Sequence, residues 1–279
     1  MINYSSKDIY KIKKWGMNKN PFVAIKDFSF LKSELRWLNK DHKQAYKKYW
    51  NRRYKWTNNI NFIKYYKYAH KPIDRKTWDY LRLRKSYYVM PLGWDKIAKN
   101  GGNVLDFGCG DGDVTQNLID FIIKYQKKNK IKKKINIIGV DINKSRIENA
   151  KKFVYSSASN IKVNFIAKDL INNKLTIKNN FFNYCLCVGV FEILNDKNLL
   201  KLLTNLKKIV KKGIYIEDLF EKFPGGWPRD NLGHLLLQNN FLVKKRYVVF
   251  TEPFNKNKLS DPKKIWPITI DQNIFAEKC

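Results

Sequence analysis

A short apolar stretch that runs into three closely spaced glycines constrains the fold of this chain more than any other feature. Residues 103–107 read Asn-Val-Leu-Asp-Phe, and the next five residues are Gly-Cys-Gly-Asp-Gly. The apolar stretch predicts a β-strand, and residues 114–130 have the apolar spacing of a helix. Glycines at alternate positions let the backbone of a strand-to-helix turn approach a ligand closely, where a Cβ atom would clash. The turn therefore predicts an α/β fold with a ligand site at the carboxyl end of this strand.

The pattern of strand, turn and helix repeats along the rest of the chain. Further buried strands are predicted at residues 135–140, 163–167, 184–190 and 214–216, with helices at residues 144–155 and 198–211. Apolar strands that alternate with helices are typical of a doubly wound parallel sheet. Residues 241–251 and 270–276 predict two more strands with no helix between them, and so an antiparallel pair at one edge of the sheet.

Two acidic residues accompany the glycine turn. Asp106 precedes it, and Asp141 ends the next strand in the run Ile-Ile-Gly-Val-Asp-Ile. A carboxylate at the second position can accept two hydrogen bonds from the hydroxyl groups of a ribose. The pattern thus favours a ligand that contains a nucleoside.

The segment from Asp106 to Gly112 resembles motif I of the class I methyltransferases that use S-adenosylmethionine (SAM), and it fits (Asp/Glu)-x-Gly-x-Gly-x-Gly at every position. The Gly-x-Gly-x-x-Gly spacing of dinucleotide dehydrogenases is not present. The resemblance implies a Rossmann-like, seven-stranded and mostly parallel sheet with an antiparallel terminal hairpin. It also implies SAM as cofactor, with the glycines around it, Asp141 on its ribose and Asp169 on its adenine amine. The expected cofactor-binding residues are Asp106, Gly108, Cys109, Gly110, Gly112, Asp141, Ile142, Asp169, Leu170 and Val188.

The methyl acceptor is expected at the ends of the fourth and fifth strands. Methyl transfer from a sulfonium is an in-line displacement, so the enzyme must align the nucleophile and exclude water. The candidate catalytic residues are His234, Glu192 and Arg229, and the candidate substrate contacts are Tyr87, Tyr88, Phe191, Glu217 and Trp227. Structural alternatives stay open: packing for His234, a helix cap for Glu192, and an ion pair with Asp230 or Glu217 for Arg229.

Residues 1–95 differ from the rest of the chain, because they contain half of its aromatic residues, mixed with lysine and arginine. We predict a helical, basic and aromatic N-terminal cap over residues 1–95 and a catalytic domain over residues 96–279. The cap has three interpretations: a lid over the cofactor pocket, a platform on which RNA bases stack, or packing against the catalytic domain. Packing combined with a lid is favoured, because aromatics at helical spacing usually pack.

The formal net charge of +32 suggests a nucleic-acid partner, but its make-up argues against one. Only nine of the 56 basic residues are arginine, the residue favoured for bidentate phosphate and base contacts. Lysine, asparagine and isoleucine, all abundant here, have AT-rich codons, so genome composition can account for the charge. A small-molecule acceptor with an O, N or S nucleophile is therefore favoured. An RNA methyltransferase and a non-catalytic SAM-binding scaffold subunit are the alternatives.

The remaining sequence features concern metal sites, membrane spans and cellular location. The sequence contains no Cys-x-x-Cys pair for a zinc site and nothing that resembles a disulfide framework. No metal is therefore expected. No run approaches the roughly 18 apolar residues of a membrane span, and the first residues lack the apolar core of a secretory signal. The expected location is the cytoplasm, with no membrane partner. The sequence does not predict the oligomeric state.

Overall fold

The structure is a computed structural model, and it describes the following residues: 9–12, 22–25, 72–85, 89, 91–171, 177–191, 194, 196–219, 232–251 and 269–279. The strands in these ranges are β1 (Ile9–Ile12), β2 (Phe22–Ile25), β3 (Gly102–Phe107), β4 (Ile135–Asp141), β5 (Ile161–Ala167), β6 (Phe182–Val188), β7 (Val210–Leu219), β8 (Phe241–Thr251) and β9 (Thr269–Lys278). The helices are α1 (Arg75–Lys85), α2 (Trp94–Asn100), α3 (Asp113–Lys128), α4 (Lys144–Phe153), α5 (Asp196–Ile209) and α6 (Leu232–Gln238).

All of these strands belong to one sheet, in the order β1-β2-β8-β9-β7-β6-β3-β4-β5. The five strands from β3 to β7 pair in parallel, whereas β9 pairs antiparallel with both of its neighbours, β7 and β8. Strands β3 to β9 confirm the predicted seven-stranded, mostly parallel sheet with its antiparallel terminal pair. The strand order reverses at β3 and β6, so the crevice beside the glycine turn lies at the carboxyl ends of these central strands.

The sheet continues past the predicted terminal pair. Strand β2 pairs antiparallel with β8, from Val23 opposite Phe250 to Ile25 opposite Val248, and β1 pairs antiparallel with β2. The prediction of a helical region over residues 1–95 is therefore wrong for these two segments, whereas α1 and α2 within the same region are helices. The physical reason is long-range pairing, because β8 would otherwise present a row of unpaired backbone groups at the edge of the sheet.

The core lies on both faces of the parallel strands. In β3, Leu105 and Phe107 pack in the cluster formed with the apolar side of α5, and Val104 packs in the cluster formed with α3. Successive side chains of a strand point to opposite faces, so Asp106 shares the α3 side with Val104. The carboxylate of Asp106 therefore extends from β3 toward the first turn of α3.

Helix α1 packs against the glycine turn and α4 through Trp78, which is completely buried. Its indole Nε1 donates a hydrogen bond of 2.8 Å to the carbonyl of Asp111 in the glycine turn. Its ring stacks on Phe153 at the end of α4, with 5.6 Å between the ring centroids. These contacts place the first turn of α1 beside the glycine turn. Among the described helices, none combines the length and the apolar composition that a membrane span needs.

Candidate functional site

The glycine turn between β3 and α3 has left-handed backbone at each of its three glycines. The φ angles are 72° at Gly108, 55° at Gly110 and 77° at Gly112. The amides of Gly108 and Cys109 both donate to the carbonyl of Val140, at 2.7 and 3.1 Å. The turn is thereby held against the end of β4 in a conformation that favours glycine at all three positions.

The surroundings of the glycines differ in a way that the sequence does not reveal. A Cβ atom on Gly108 would lie 2.4 Å from Cγ2 of Val190, and one on Gly112 would lie 2.4 Å from Cγ2 of Val154. A Cβ atom on Gly110 would instead meet the guanidinium of Arg146, at 2.9 Å from Cζ, which is held in its ion pair with Asp111. The surroundings of all three glycines therefore oppose a side chain.

Asp106 lies on the α3 side of the sheet and is buried, with 1% of its surface exposed. The hydroxyl of Thr115 donates to its Oδ2 at 2.5 Å. Burial raises the pKa of Asp106 to about 7, opposed by the hydrogen bond from Thr115 and reinforced by the charges of Asp113 and Asp141. Near neutral pH this carboxyl group takes up or releases a proton when the charge beside it changes.

Asp141 ends β4 and holds the glycine turn from the other side. The amide of Gly110 donates to its Oδ2 at 2.9 Å, and the amide of Asn143 donates to its Oδ1 at 2.8 Å. Each oxygen of a carboxylate has two lone pairs and can accept more than one hydrogen bond. The residue that the sequence predicts for the ribose also orients the turn.

Asp111, inside the turn, is locked to α4. Its buried carboxylate accepts from Nε and Nη2 of Arg146, at 2.9 and 2.6 Å, both through Oδ2. Its Oδ1 accepts from Asn149 at 3.0 Å. The pair is largely removed from water, with the side chain of Asp111 1% exposed and that of Arg146 21%. The turn is therefore rigid, and its rigidity rests on one buried charge pair.

A cleft opens at the carboxyl ends of β3, β4, β5 and β6. It brings together nine of the ten residues predicted to bind the cofactor. The tenth, Gly112, packs against α4. Asp169 lies beyond the end of β5, and its Oδ1 accepts from the amide of Ile171 at 2.9 Å. Apolar walls come from Ile142, Leu170 and Val188. Cys109 also lines the cleft, and burial raises the pKa of its thiol well above its usual range.

Several residues that line the cleft were not predicted from the sequence: Lys85, Phe107, Asp113, Val114, Val140, Arg146, Ile171, Gly189, Val190, Leu194 and Asn198. Asp113 directly follows the glycines, and its position at the start of α3 could have indicated it. Lys85 and Asn198 lie on α1 and α5, and no spacing rule links them to the turn. Only the packing of these helices on the sheet brings them to the cleft.

The predicted acceptor-side residues are not brought together in the described part of the chain. His234 lies on the exposed side of α6, where its Nε2 is 3.0 Å from Nε2 of Gln238, and it does not line the cleft. Phe191 is completely buried in the core cluster with α5, and Glu217 is buried within β7, paired with Val188 on one side and Asn273 on the other. The remaining candidates lie outside the described residues: Tyr87, Tyr88, Glu192, Trp227 and Arg229.

The described histidines, cysteines and carboxylates include no cluster of three or more that could hold a metal ion. The carboxylates of the cleft are held by hydrogen bonds and by Arg146 instead. The donor set therefore suits an organic ligand that carries positive charge and hydroxyl groups.

Comparison with known families identifies this region. Residues 104–213 match the family model described as a methyltransferase domain. No curated protein matches the chain significantly. Among solved structures, the magnesium protoporphyrin IX methyltransferase of Synechocystis with bound SAM is 14% identical, with a TM-score of 0.47, over 87% of this chain and 99% of that one. A SAM-dependent methyltransferase of Archaeoglobus fulgidus is 18% identical, with a TM-score of 0.46, over 79% of this chain and all of that one.

At such low identity the solved structures carry no information on what this chain methylates. The family match is more specific, because its range begins in β3 and ends in β7. That range includes the glycine turn and the strands that carry Asp106, Asp141 and Asp169 to the cleft. The chain therefore contains a methyltransferase domain over residues 104–213, with motif I complete and a cleft formed around it.

Proposed function

We propose that this enzyme transfers the methyl group of SAM to an O, N or S nucleophile of a small molecule. The observation that carries the proposal is the charge of the cleft. Four carboxylates line it, from Asp106, Asp113, Asp141 and Asp169, against two cations, Lys85 and Arg146, of which Arg146 is already paired with Asp111. Such walls attract a sulfonium and an ammonium group, and they repel the phosphates of a nucleic-acid acceptor.

The roles of the cofactor residues follow from their positions. The three glycines keep the turn in the shape that lets the cofactor approach its backbone. Asp141 accepts hydrogen bonds from the ribose hydroxyls, and Asp169 accepts one from the adenine amine. Ile142, Leu170 and Val188 provide apolar contact. Lys85 is the cation of the cleft that is best placed for the carboxylate of the methionine moiety.

SAM supplies an activated methyl group on a positively charged sulfur. The chain must hold that methyl group in line with the nucleophile and keep water away. The buried side of the cleft, where Val188, Val190 and Leu194 lie, provides an apolar surface for this purpose. A neutral hydroxyl or a protonated amine also requires a base, whereas a thiolate does not.

The base itself stays a prediction. His234 is the only candidate of the three whose side chain is described, and it acts as base only if the acceptor reaches the exposed side of α6. Glu192 and Arg229 are kept as candidates, and so are the substrate contacts Tyr87, Tyr88, Phe191, Glu217 and Trp227. We also keep as predictions the division of the chain at residue 95, the cytoplasmic location and the absence of a membrane partner.

The test is calorimetric titration of the full chain with SAM and with S-adenosylhomocysteine. We expect micromolar binding that weakens roughly 100-fold in Asp141→Ala, because the ribose and the turn both lose their acceptor. Asp79→Ala is the matched control, since Asp79 is an exposed carboxylate on α1 outside the cleft, and it should bind as the wild type does. Circular dichroism must show that each variant is folded.

Three other outcomes would contradict the proposal. Folded wild-type protein that binds neither ligand would remove the cofactor assignment. Binding of SAM without turnover of any small thiol, amine or hydroxy compound, in an assay that detects S-adenosylhomocysteine, would favour the scaffold alternative. Turnover with RNA alone would replace the small-molecule acceptor.

A further inference from the structure

The amino ends of the parallel strands meet on one face of the protein, at the end of the sheet opposite to the cleft. We call this the basic face and define it by the segments that precede β3, β4 and β6, residues 99–101, 127–134 and 178–181, together with residues 207–212, which lead into β7 and form its start. With six residues in β3 at about 3.3 Å each, the basic face lies about 20 Å from the cleft.

Hydrogen bonds join these segments into one continuous surface. The amide of Gly102 donates to the carbonyl of Lys134 at 2.9 Å, which links the segments before β3 and β4. The side chain of Asn103 donates to the carbonyl of Phe181 at 3.2 Å, which links the segments before β3 and β6. The amide of Asn180 donates to the carbonyl of Lys208 at 2.9 Å and adds the segment before β7.

This surface carries lysines almost without carboxylates. Residues 121–140 contain seven lysines and residues 197–216 contain six, and neither stretch contains an aspartate or a glutamate. The side chains of residues 132–134 are exposed, and no lysine of the basic face forms an ion pair within the described part of the chain. The carboxylate nearest to this end of β9 is Glu277, which is already held by Lys96.

Codon composition explains how many lysines the chain has but not where its carboxylates are. A bias toward AT-rich codons would add lysines over the whole surface and would leave the aspartates among them. The segments of the basic face contain no carboxylate, whereas Asp106, Asp141 and Asp169 line the cleft at the carboxyl ends of β3, β4 and β5. The segregation of charge between the two ends of the sheet therefore needs another explanation, and a polyanionic partner provides one.

A small cavity within the basic face suits the same partner. Asparagine, threonine and lysine side chains line it, among them Asn179, Lys207 and Lys208. Lys278 forms its floor and donates to Asn180 Oδ1, Lys207 O and Val210 O, so all three of its protons are used. Lys207 and Lys208 also line the cavity and can contact a bound anion. Next to the cavity, the ring of Phe181 is 39% exposed and offers a surface on which a base can stack.

We infer that the basic face binds the sugar–phosphate backbone of a single-stranded nucleic acid. Lysines provide the phosphate contacts, the asparagines provide donors and acceptors for base edges, and Phe181 provides a stacking surface. The nucleic acid is a docking partner and not the methyl acceptor, because the basic face and the cleft lie at opposite ends of the strands. This inference goes beyond the proposed function and does not depend on it.

The experiment measures fluorescence anisotropy of labelled poly(U) and poly(dT), about 20 nucleotides long, with the full chain at salt concentrations between about 50 and 200 mM. The test variant replaces Lys132, Lys133 and Lys134 with glutamine. The matched control replaces three exposed lysines elsewhere, Lys76, Lys144 and Lys151, and removes the same charge. We expect the test variant to bind about tenfold more weakly and to lose about 2 units of salt slope, at roughly 0.7 per contact. The control should stay within about threefold of the wild type.

The arms of the experiment separate the alternatives. Tighter binding of poly(U) would identify RNA as the partner, and tighter binding of poly(dT) would identify DNA. Equal losses in both variants would mean that net charge alone acts, and an unchanged test variant would place binding outside the basic face; either result overturns the inference. So would binding to vesicles of phosphatidylserine with none to either polymer. Calorimetry with SAM on the same samples reports separately on the proposed function.

Discussion

Charged groups at the two ends of the parallel strands are accommodated in different ways. At the carboxyl ends the carboxylates are largely buried, and four of them have an identified donor: Thr115 for Asp106, Arg146 for Asp111, and backbone amides for Asp141 and Asp169. At the amino ends the lysines of the basic face are mostly exposed to water. A buried charge costs several kcal/mol unless it is paired, whereas an exposed charge costs little. The cleft end should therefore be sensitive to single substitutions, and the basic end should tolerate them.

The largest effect is expected from Arg146→Met, which leaves the carboxylate of Asp111 buried without its cation. We expect a loss of about 3 kcal/mol in the free energy of unfolding, measured by urea denaturation at pH 7. The matched control is Lys151→Met, which removes an exposed ion pair with Glu148 and should cost less than about 1 kcal/mol. Similar losses in the two variants would break the contrast between buried and exposed charges.

The next effect is expected from Gly108→Ala. The new Cβ atom would lie 2.4 Å from Val190 at a φ of 72°, so both packing and backbone oppose it. We expect a loss of about 2 kcal/mol in the free energy of unfolding. Gly233→Ala in α6 is the control, because its Cβ atom would meet nothing closer than 3.7 Å. There we expect a gain of up to about 1 kcal/mol. A tolerated Gly108→Ala would mean that the turn can rearrange.

The third effect concerns the pH dependence of SAM binding. Since burial raises the pKa of Asp106 to about 7, the carboxyl group is protonated in the free enzyme at lower pH. A cationic cofactor favours the ionised form, so affinity should rise with pH between about 5.5 and 7, by at most tenfold per pH unit, or about 1.4 kcal/mol. Calorimetry over this range measures the slope, and Asp106→Asn should remove it.

A stability measurement checks the sign of the same shift. Between the unfolded pKa near 3.8 and the folded pKa near 7, the folded state binds more protons than the unfolded state. The stability of the wild type relative to Asp106→Asn should therefore fall as the pH rises through this range. A rise instead would show that the charged form is the one that the fold stabilises.

The smallest effect is expected at the basic end. Replacing Lys132, Lys133 and Lys134 with glutamine relieves repulsion among exposed like charges and breaks no contact of their side chains. We expect a slight increase in the urea midpoint at low salt that disappears at high salt, because exposed charges are screened. A marked loss of stability would show that these lysines support the fold, and it would weaken the comparison between the two ends.

Much of the fold could be predicted from local patterns, because they depend on interactions between residues that are close in the chain. The apolar strands, the amphipathic helices, the glycine turn and the two carboxylates Asp106 and Asp141 all follow from residue type and spacing. A complete motif I predicted the cofactor. All of these features lie within residues 103–279, where strand and helix alternate.

The tertiary structure decided what depends on contacts between distant segments. It inserted β9 between β7 and β8, and it added β1 and β2 beyond them. It brought Lys85 and Asn198 to the cleft, placed Phe191 in the core, and put His234 on an exposed helix face. It also brought Asp106, Asp141 and Asp169 together at one end of the sheet and the lysines of the basic face together at the other. The sequence determines each residue's charge and polarity, but only the pairing of strands and the packing of helices determine which residues meet.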